Sequence, residues 1–441
     1  MQTILSIIIL AWLILRIRKI YFTNDVQMRV VRRIWDEPYL LSQNMYFTIF
    51  TICTAPIFLH GMSLIKYALW FVTILVLIFW GKVRVKFEAV TLTYSIFFLW
   101  LCCTMLYTTA RYDGFMLLIK YMIPMLFLWL GYSGLRNEKD LIIFLRVVNV
   151  VVCIYCMLIG GQGYKLMPWL YFGPIGGQFL KYAGFADFLT SVFIVPIMLY
   201  WLTREKKYIF CALWMLLSTI LQSVRTGMGG MLLVFAFAVL LKDRWKAMPG
   251  LLLAGAVFVG TILFVPEVNE KFFGEDAGTV SAVDIVQGNA LAHENINTNG
   301  RTGIWEMILE ACYEGHETYG SGLGVSMRFL KDWSTETNSV AIMHNDYVQI
   351  ISDTGIIGII LICLFYIVFL LKGIGYVVIR RSSACVKVTG IMAVSSMAGI
   401  AFSMFYDNVV SHSMSSLVMS FIFLGFFLKS IDIDAYKQLS E

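Results

Sequence analysis

The chain has 441 residues, of which 59% are hydrophobic and 14% charged, against roughly 25% charged in an ordinary soluble domain. That balance excludes a water-soluble globular enzyme and describes a polytopic membrane protein. The formal net charge of +6 reflects loops that orient the chain in a membrane and gives no reason to invoke nucleic acid.

Apolar segments long enough to cross a hydrocarbon core of about 30 Å recur along the chain, and in lipid their backbone groups are best satisfied as helices. The alternation that a β-barrel requires is absent, so the expected fold is all-α. Spans are predicted at 1–15, 43–62, 64–80, 89–110, 115–134, 141–161, 184–202, 208–224, 226–241, 247–265, 347–371, 388–406 and 414–428, a total of about 12–13 transmembrane helices. The first is the least marked. It has no basic flank ahead of its apolar run and Arg16, Arg18 and Lys19 behind it, so it reads as a short span with an outside N-terminus rather than a cleaved signal. Three regions follow: a bundle of ten spans over 1–265, a large polar loop over 266–345, and three last spans within 346–441.

Basic residues set the orientation. If thirteen spans alternate, 23 of the 34 Lys and Arg fall in connections on one side, which the positive-inside tendency makes cytoplasmic. The opposite side receives nine, while Lys120 and Arg146 lie inside spans. The loop 266–345 is thereby extracytoplasmic. Between Pro266 and Met343 it carries twelve acids against four bases, a net of minus eight, and a polar loop of that length is seldom kept without a function. Seven of the nine cysteines fall in apolar spans and only Cys312 in this loop, so no external disulfide framework is available. Cys153 and Cys156 have CxxC spacing, but inside a span that spacing reads as packing. The histidines show no metal-ligand spacing, and neither a metal nor a cofactor is expected. No internal repeat stands out, which counts against transporters built from inverted repeats.

Four stretches concentrate the chemistry. In "LQSVRTGMGGML", Arg225 falls in a connection of almost no length between two apolar helices, while glycines 227, 229 and 230 permit close helix approach. An arginine at that depth snorkels, pairs with an acid or meets an anionic ligand. In "NTNGRTGIWEMILEACYEG", Ile304, Trp305, Ile308 and Cys312 share one helical face and Glu306, Glu310 and Glu314 another. This predicts an amphipathic helix lying on the membrane surface or against the bundle. Arg301 stands at its start, paired with a nearby acid or binding an anion at the helix N-terminus. The next stretch, "YGSGLGVS", has closely spaced glycines, but with no strand before it a tight turn is expected rather than a phosphate cradle. Last, "MHNDYVQIISDTGIIGI" begins a span with His344, Asn345, Asp346 and Tyr347. Asp346 has two readings, orienting a base or acceptor sugar and capping the helix. Tyr347, Trp305 and Trp333 have two as well, stacking on sugars and anchoring at the interface.

These motifs, in this order over roughly residues 173–360, make the sequence resemble the O-antigen ligase and polymerase superfamily of bacterial surface-polysaccharide assembly. The resemblance implies a GT-C-like membrane enzyme with its active site on the extracytoplasmic side of the cytoplasmic membrane. It implies inverting, metal-independent transfer of a glycan from an undecaprenyl-diphosphate-linked oligosaccharide, without a cofactor. Arg225, Arg301 and Lys181 would bind the donor diphosphate, His344 would act as general base, and Asn345, Asp346, Tyr347 and Trp305 would support it or bind the acceptor. Lys181 stands in "LKYAGFADFLT", with Gly184 and Asp187, where many members have an arginine; lysine keeps the charge and loses the bidentate fork. The expected surroundings are membrane lipid and the chain-length regulator and flippase of the same pathway. A polymerase of lipid-linked repeat units is favoured over a ligase that hands the glycan to lipid A core or another acceptor, because an acidic loop repels an anionic core. A transporter or flippase of a lipid-linked or anionic substrate would need charges strung through the bundle, and Lys120 and Arg146 are too few.

Overall fold

A computed structural model describes residues 84–136, 138–163, 183–221, 224–273, 301–337, 343–412 and 416–440. The predicted spans 1–15, 43–62 and 64–80 lie outside the described residues, as does Lys181. The described residues form helices with no strand among them, in an all-α membrane protein.

The first three helices are α1 (Ala89–Thr104), α2 (Arg111–Gly134) and α3 (Glu138–Gly163). A broken pair, α4 (Ala183–Val192) and α5 (Ile194–Thr203), leads to α6 (Lys207–Leu221), α7 (Arg225–Asp243), α8 (Met248–Phe264) and α9 (Pro266–Phe273). The polar loop contributes α10 (Arg301–Ile308), which runs on as a π turn over Leu309–Tyr313, and α11 (Val325–Thr337). The last three are α12 (Asp346–Ile374), α13 (Ala384–Tyr406) and α14 (Ser416–Ser440). Each span predicted from 89 onward therefore corresponds to one of these helices, except 184–202, which is the broken pair α4 and α5. Among the described residues six runs are long and apolar enough to cross a membrane, and the longest, Arg225–Phe264, is a hairpin rather than one rod. Met228 of α7 packs with Ile262 of α8 and Val268 of α9, so the two long helices fold back on each other.

The core is centred on α13 and α14, packed against α2, α4 and α7. Lipid supplies no hydrophobic force between helices, so small residues and hydroxyls carry the association. Ser396 Oγ lies 2.6 Å from Ser420 Oγ and also donates to Ser191 O at 2.6 Å, joining α13, α14 and α4. Thr389 and Ser430 hydroxyls meet at 2.8 Å further along the α13–α14 seam. The glycines of the "RTGMGG" stretch seat α7: a Cβ on Gly227 would stand 2.8 Å from Ala186 Cβ, and one on Gly229 would stand 2.6 Å from Phe402 Cε1.

Helix α12 is broken at Gly355, whose φ of 68° and ψ of −169° are closed to other residues without strain. The break frees carbonyls, and the glycine-rich turn takes them: Ser321 N donates to Ser352 O at 2.9 Å and Gly322 N to Asp353 O at 3.0 Å. Asp353 returns the contact, its carboxylate accepting from Gly324 N at 2.8 Å and Ser326 N at 2.9 Å. Gly320, Gly322 and Gly324 all have positive φ. The turn expected at "YGSGLG" is thus an interlock that clamps the α10–α11 region to the buried side of α12. Irregular backbone at membrane depth is tolerated when protein covers it in this way.

Candidate functional site

The α10 region carries its apolar face against α11 and the start of α12: Ile308 and Cys312 cluster with Leu330 and Met343, while Glu306, Glu310 and Glu314 stay exposed. The amphipathic helix therefore lies on protein. That placement brings Arg301, its first residue, over the end of α13, where Nη1 donates to Tyr406 O at 2.6 Å. Trp305, one turn on, donates from Nε1 to Met343 O at 2.6 Å. The Phe405 ring stands 6.2 Å from Trp305 and 6.3 Å from Tyr347, which makes an aromatic wall beside the arginine.

Arg225 opens α7 at the same end of the bundle and feels the positive charge of Arg301. Two guanidinium groups held close enough to repel each other cost stability unless negative charge lies near. Asp407, the residue after α13, supplies some of it. Burial pulls the Arg301 guanidinium below its ordinary value, and the Asp407 carboxylate opposes that pull.

Asp407 is also the partner of His344. Nδ1 of His344 lies 3.0 Å from Oδ1 of Asp407, whose side chain is 3% exposed against 26% for the histidine. An ionised carboxylate only accepts, so Nδ1 carries the proton and Nε2 keeps its lone pair. That tautomer is the one a base needs. Asn408 N donates to the same carboxylate oxygen at 2.8 Å, fixing its direction. His344 has a φ of 49°, in the left-handed region, and so ends the chain's approach to α12 without extending the helix.

The helix cap is Asn345, whose Oδ1 accepts from Tyr347 N and Val348 N at 3.0 Å. The capping reading of Asp346 is corrected: its carboxylate is fully buried and accepts from Val410 N at 3.0 Å, because Asn345 has already taken the first-turn donors. Asp346 therefore ties α12 to the segment after α13 and supports the position of Asp407. Tyr347 turns inward, its hydroxyl donating to Ala401 O at 2.9 Å. Asp187 of α4, fully buried, stands within electrostatic reach of Asp346 and Asp407.

The structure thus brings together Arg225, Arg301, His344, Asn345, Asp346, Tyr347 and Trp305, with Lys181 outside the described residues. Asp407 is the residue that sequence reasoning missed. Nothing local marks it: it lies 63 residues beyond its partner, after a different span. Asp407→Asn keeps the shape but removes the charge that holds Nδ1–H. Turnover is expected to fall about tenfold to a hundredfold, the rate equivalent of a charge-assisted hydrogen bond of about 1.5–3 kcal/mol. Donor affinity should stay unchanged in a binding titration, and unchanged turnover would mean that His344 is oriented without Asp407.

Residues 210–363 match the family described as O-antigen ligase. No curated protein matches the chain. The matched region contains Arg225, Arg301 and His344 and stops before Asp407. With the motifs in order on an all-helical membrane bundle, the match over residues 210–363 supports the O-antigen ligase/polymerase superfamily and, at that coarse level, a glycosyl-transfer enzyme.

Proposed function

We propose that the protein polymerises lipid-linked oligosaccharide repeat units of O-antigen, capsule or exopolysaccharide, taking its donor from undecaprenyl diphosphate on the outer face of the bacterial cytoplasmic membrane. The observation that carries this reading is the His344–Asp407 pair set beside Arg301 and Arg225. The acceptor hydroxyl oxygen attacks the anomeric carbon from the face opposite the diphosphate, which inverts that centre. The carbon–oxygen bond to the diphosphate breaks, and the electron pair leaves with it. Nε2 of His344 takes the hydroxyl proton, and the resulting imidazolium is stabilised by Asp407. Negative charge growing on the leaving diphosphate is met by the guanidinium groups of Arg225 and Arg301, so the residues themselves provide electrostatic stabilisation. Trp305 and Phe405 offer ring faces suited to sugar.

The exposed row Glu306, Glu310 and Glu314 beside this site favours a neutral or lightly charged acceptor over an anionic lipid A core, and so a polymerase over a ligase. Arg146, one of the two span cations that would serve a transport pathway, lies 3.7 Å from Glu205 at the far end of the bundle. That pairing supports an enzyme rather than a flippase.

The test is the surface glycan of a deletion strain. Single repeats remaining on the surface acceptor support a polymerase, long chains left on the carrier lipid would indicate a ligase, and repeats trapped in the cytoplasmic leaflet would indicate a flippase. Complementation with Arg225→Ala or Arg301→Ala should fail although the protein is made, and lysine at either position should rescue only in part, because a point charge cannot grip phosphate oxygens in a fork. Normal polymer from both alanine variants would remove the arginines from the donor site.

A further inference from the structure

The far end of the α7–α8 hairpin holds a second built feature, about the length of a 19-residue helix from Arg225. The turn between the two helices is "RWKA", Arg244–Ala247. Arg244 sits at a φ of 53°, where glycine or asparagine would be the ordinary choice, so the position keeps a long cationic side chain against the backbone preference. Its Nη2 donates to Val378 O at 2.8 Å, in the π turn that ends α12. Between the two helix ends lies an open groove of about 570 Å³ lined by Leu240, Arg244, Trp245, Val378 and Ile379.

The groove has two chemistries. Apart from Arg244 its lining is apolar, with Trp245 84% exposed and Ile379 76% exposed. Its cationic rim is Arg244, which lines it, together with the exposed sequence neighbours of Trp245 and Ile379, namely Lys246, Arg380 and Arg381; Arg380 is braced 4.4 Å from the centre of the Tyr376 ring. The acid beside this turn, Asp243, stands 3.6 Å from Lys242. Outward from the groove runs the open side of α8, where Leu252, Leu253 and Val257 are exposed and Gly250 and Gly255 face empty space. A soluble anion would need the rim but not the floor. A zwitterionic lipid would need the floor but gain little from four cations. A tryptophan at a helix end is suited to the headgroup level of a bilayer, and basic pockets between helices there recognise anionic headgroups.

We infer that the Arg244–Trp245 groove is a binding site for an anionic phospholipid of the leaflet opposite the catalytic end, with the phosphate on the basic rim and an acyl chain along Leu240, Ile379 and the face of α8. The site is separate from the diphosphate site: it lies at the other end of α7 and holds neither Arg225 nor His344. Its test does not depend on the proposed polymerase reading.

The experiment uses the full chain in nanodiscs and the fluorescence of Trp245, isolated as the difference between the wild type and Trp245→Phe because the chain has 12 tryptophans. Phosphatidylglycerol with brominated acyl chains should quench the Trp245 signal at about a tenfold lower mole fraction than brominated phosphatidylcholine, the size expected when a few surface cations act on one anionic headgroup. The preference should vanish in Arg244→Gln/Arg380→Gln. Those two side chains also brace the π turn, so Lys246→Gln/Arg381→Gln, which change only the exposed rim, should reduce the preference on an undisturbed fold. Equal quenching by the two lipids, a preference that survives both double variants, or a Trp245 signal that neither lipid quenches because another segment of the chain covers the groove, would overturn the inference.

Discussion

Replacing His344 by alanine is expected to lower turnover about a hundredfold to ten-thousandfold, the usual contribution of a positioned general base. On the proposed mechanism the acceptor hydroxyl would then lose its proton to water alone, while Arg225 and Arg301 would still hold the donor. A binding titration with lipid-linked donor should therefore give wild-type affinity. Alanine at a φ of 49° adds a conformational cost to the chemical one, so His344→Asn is the better control. Asparagine accepts the left-handed region and cannot act as a base. Equal loss in both variants assigns the effect to the imidazole; recovery in His344→Asn would assign it to the backbone.

Gly355→Ala is the second substitution with a large expected effect, on stability rather than chemistry. The conformation at Gly355 is one that only glycine occupies without strain, at a cost of about 1–3 kcal/mol for other residues. A Cβ there would also stand 2.3 Å from Thr318 O, a backbone atom that cannot swing aside. Together these should destabilise the fold by about 3 kcal/mol or more, so the variant should be recovered in low amount and melt early in detergent. Gly315→Ala separates the two causes. Gly315 has a φ of 80° and open space around its Cβ position, and should lose only about 1–2 kcal/mol. A melting temperature for Gly355→Ala that matches the wild type would mean that the loop and α12 are not interlocked.

Much of this arrangement was legible in the sequence, and the reasons differ from residue to residue. The spans could be placed because lipid leaves a long apolar run little choice but a helix. Arg225 stood out because a cation at membrane depth is costly, and Arg301 because it opens an amphipathic helix, where the N-terminus favours an anion. The amphipathic helix after Arg301 could be read from its period of apolar and acidic residues, although the surface it meets, α11 and the start of α12, could not. Gly355 was hidden, since a glycine within a predicted span, with Gly358 close behind it, gives no sign of which one breaks the helix. Nothing in the sequence of the span tells that Asp353 serves the loop by accepting from Gly324 N and Ser326 N. The His344–Asp407 pair was out of reach because local pattern does not encode which helix ends meet. Asp346 and Asn345 are adjacent and both able to cap; only the backbone distinguishes the one that does.

The dependence of His344 on Asp407 has a consequence for how the enzyme is made. Arg225, Arg301 and His344 leave the ribosome in that order, and all three are present once α12 has been synthesised. The base is still unoriented then, because Asp407 follows α13, and α13 must find α4 and α7, elements made some two hundred residues earlier. Asp346 waits for the same segment, since its backbone partner is Val410. On the proposed mechanism, a nascent chain that has inserted Arg225 and Arg301 would hold no oriented base until α13 is seated, and the order of translation would withhold glycosyl transfer from incomplete protein.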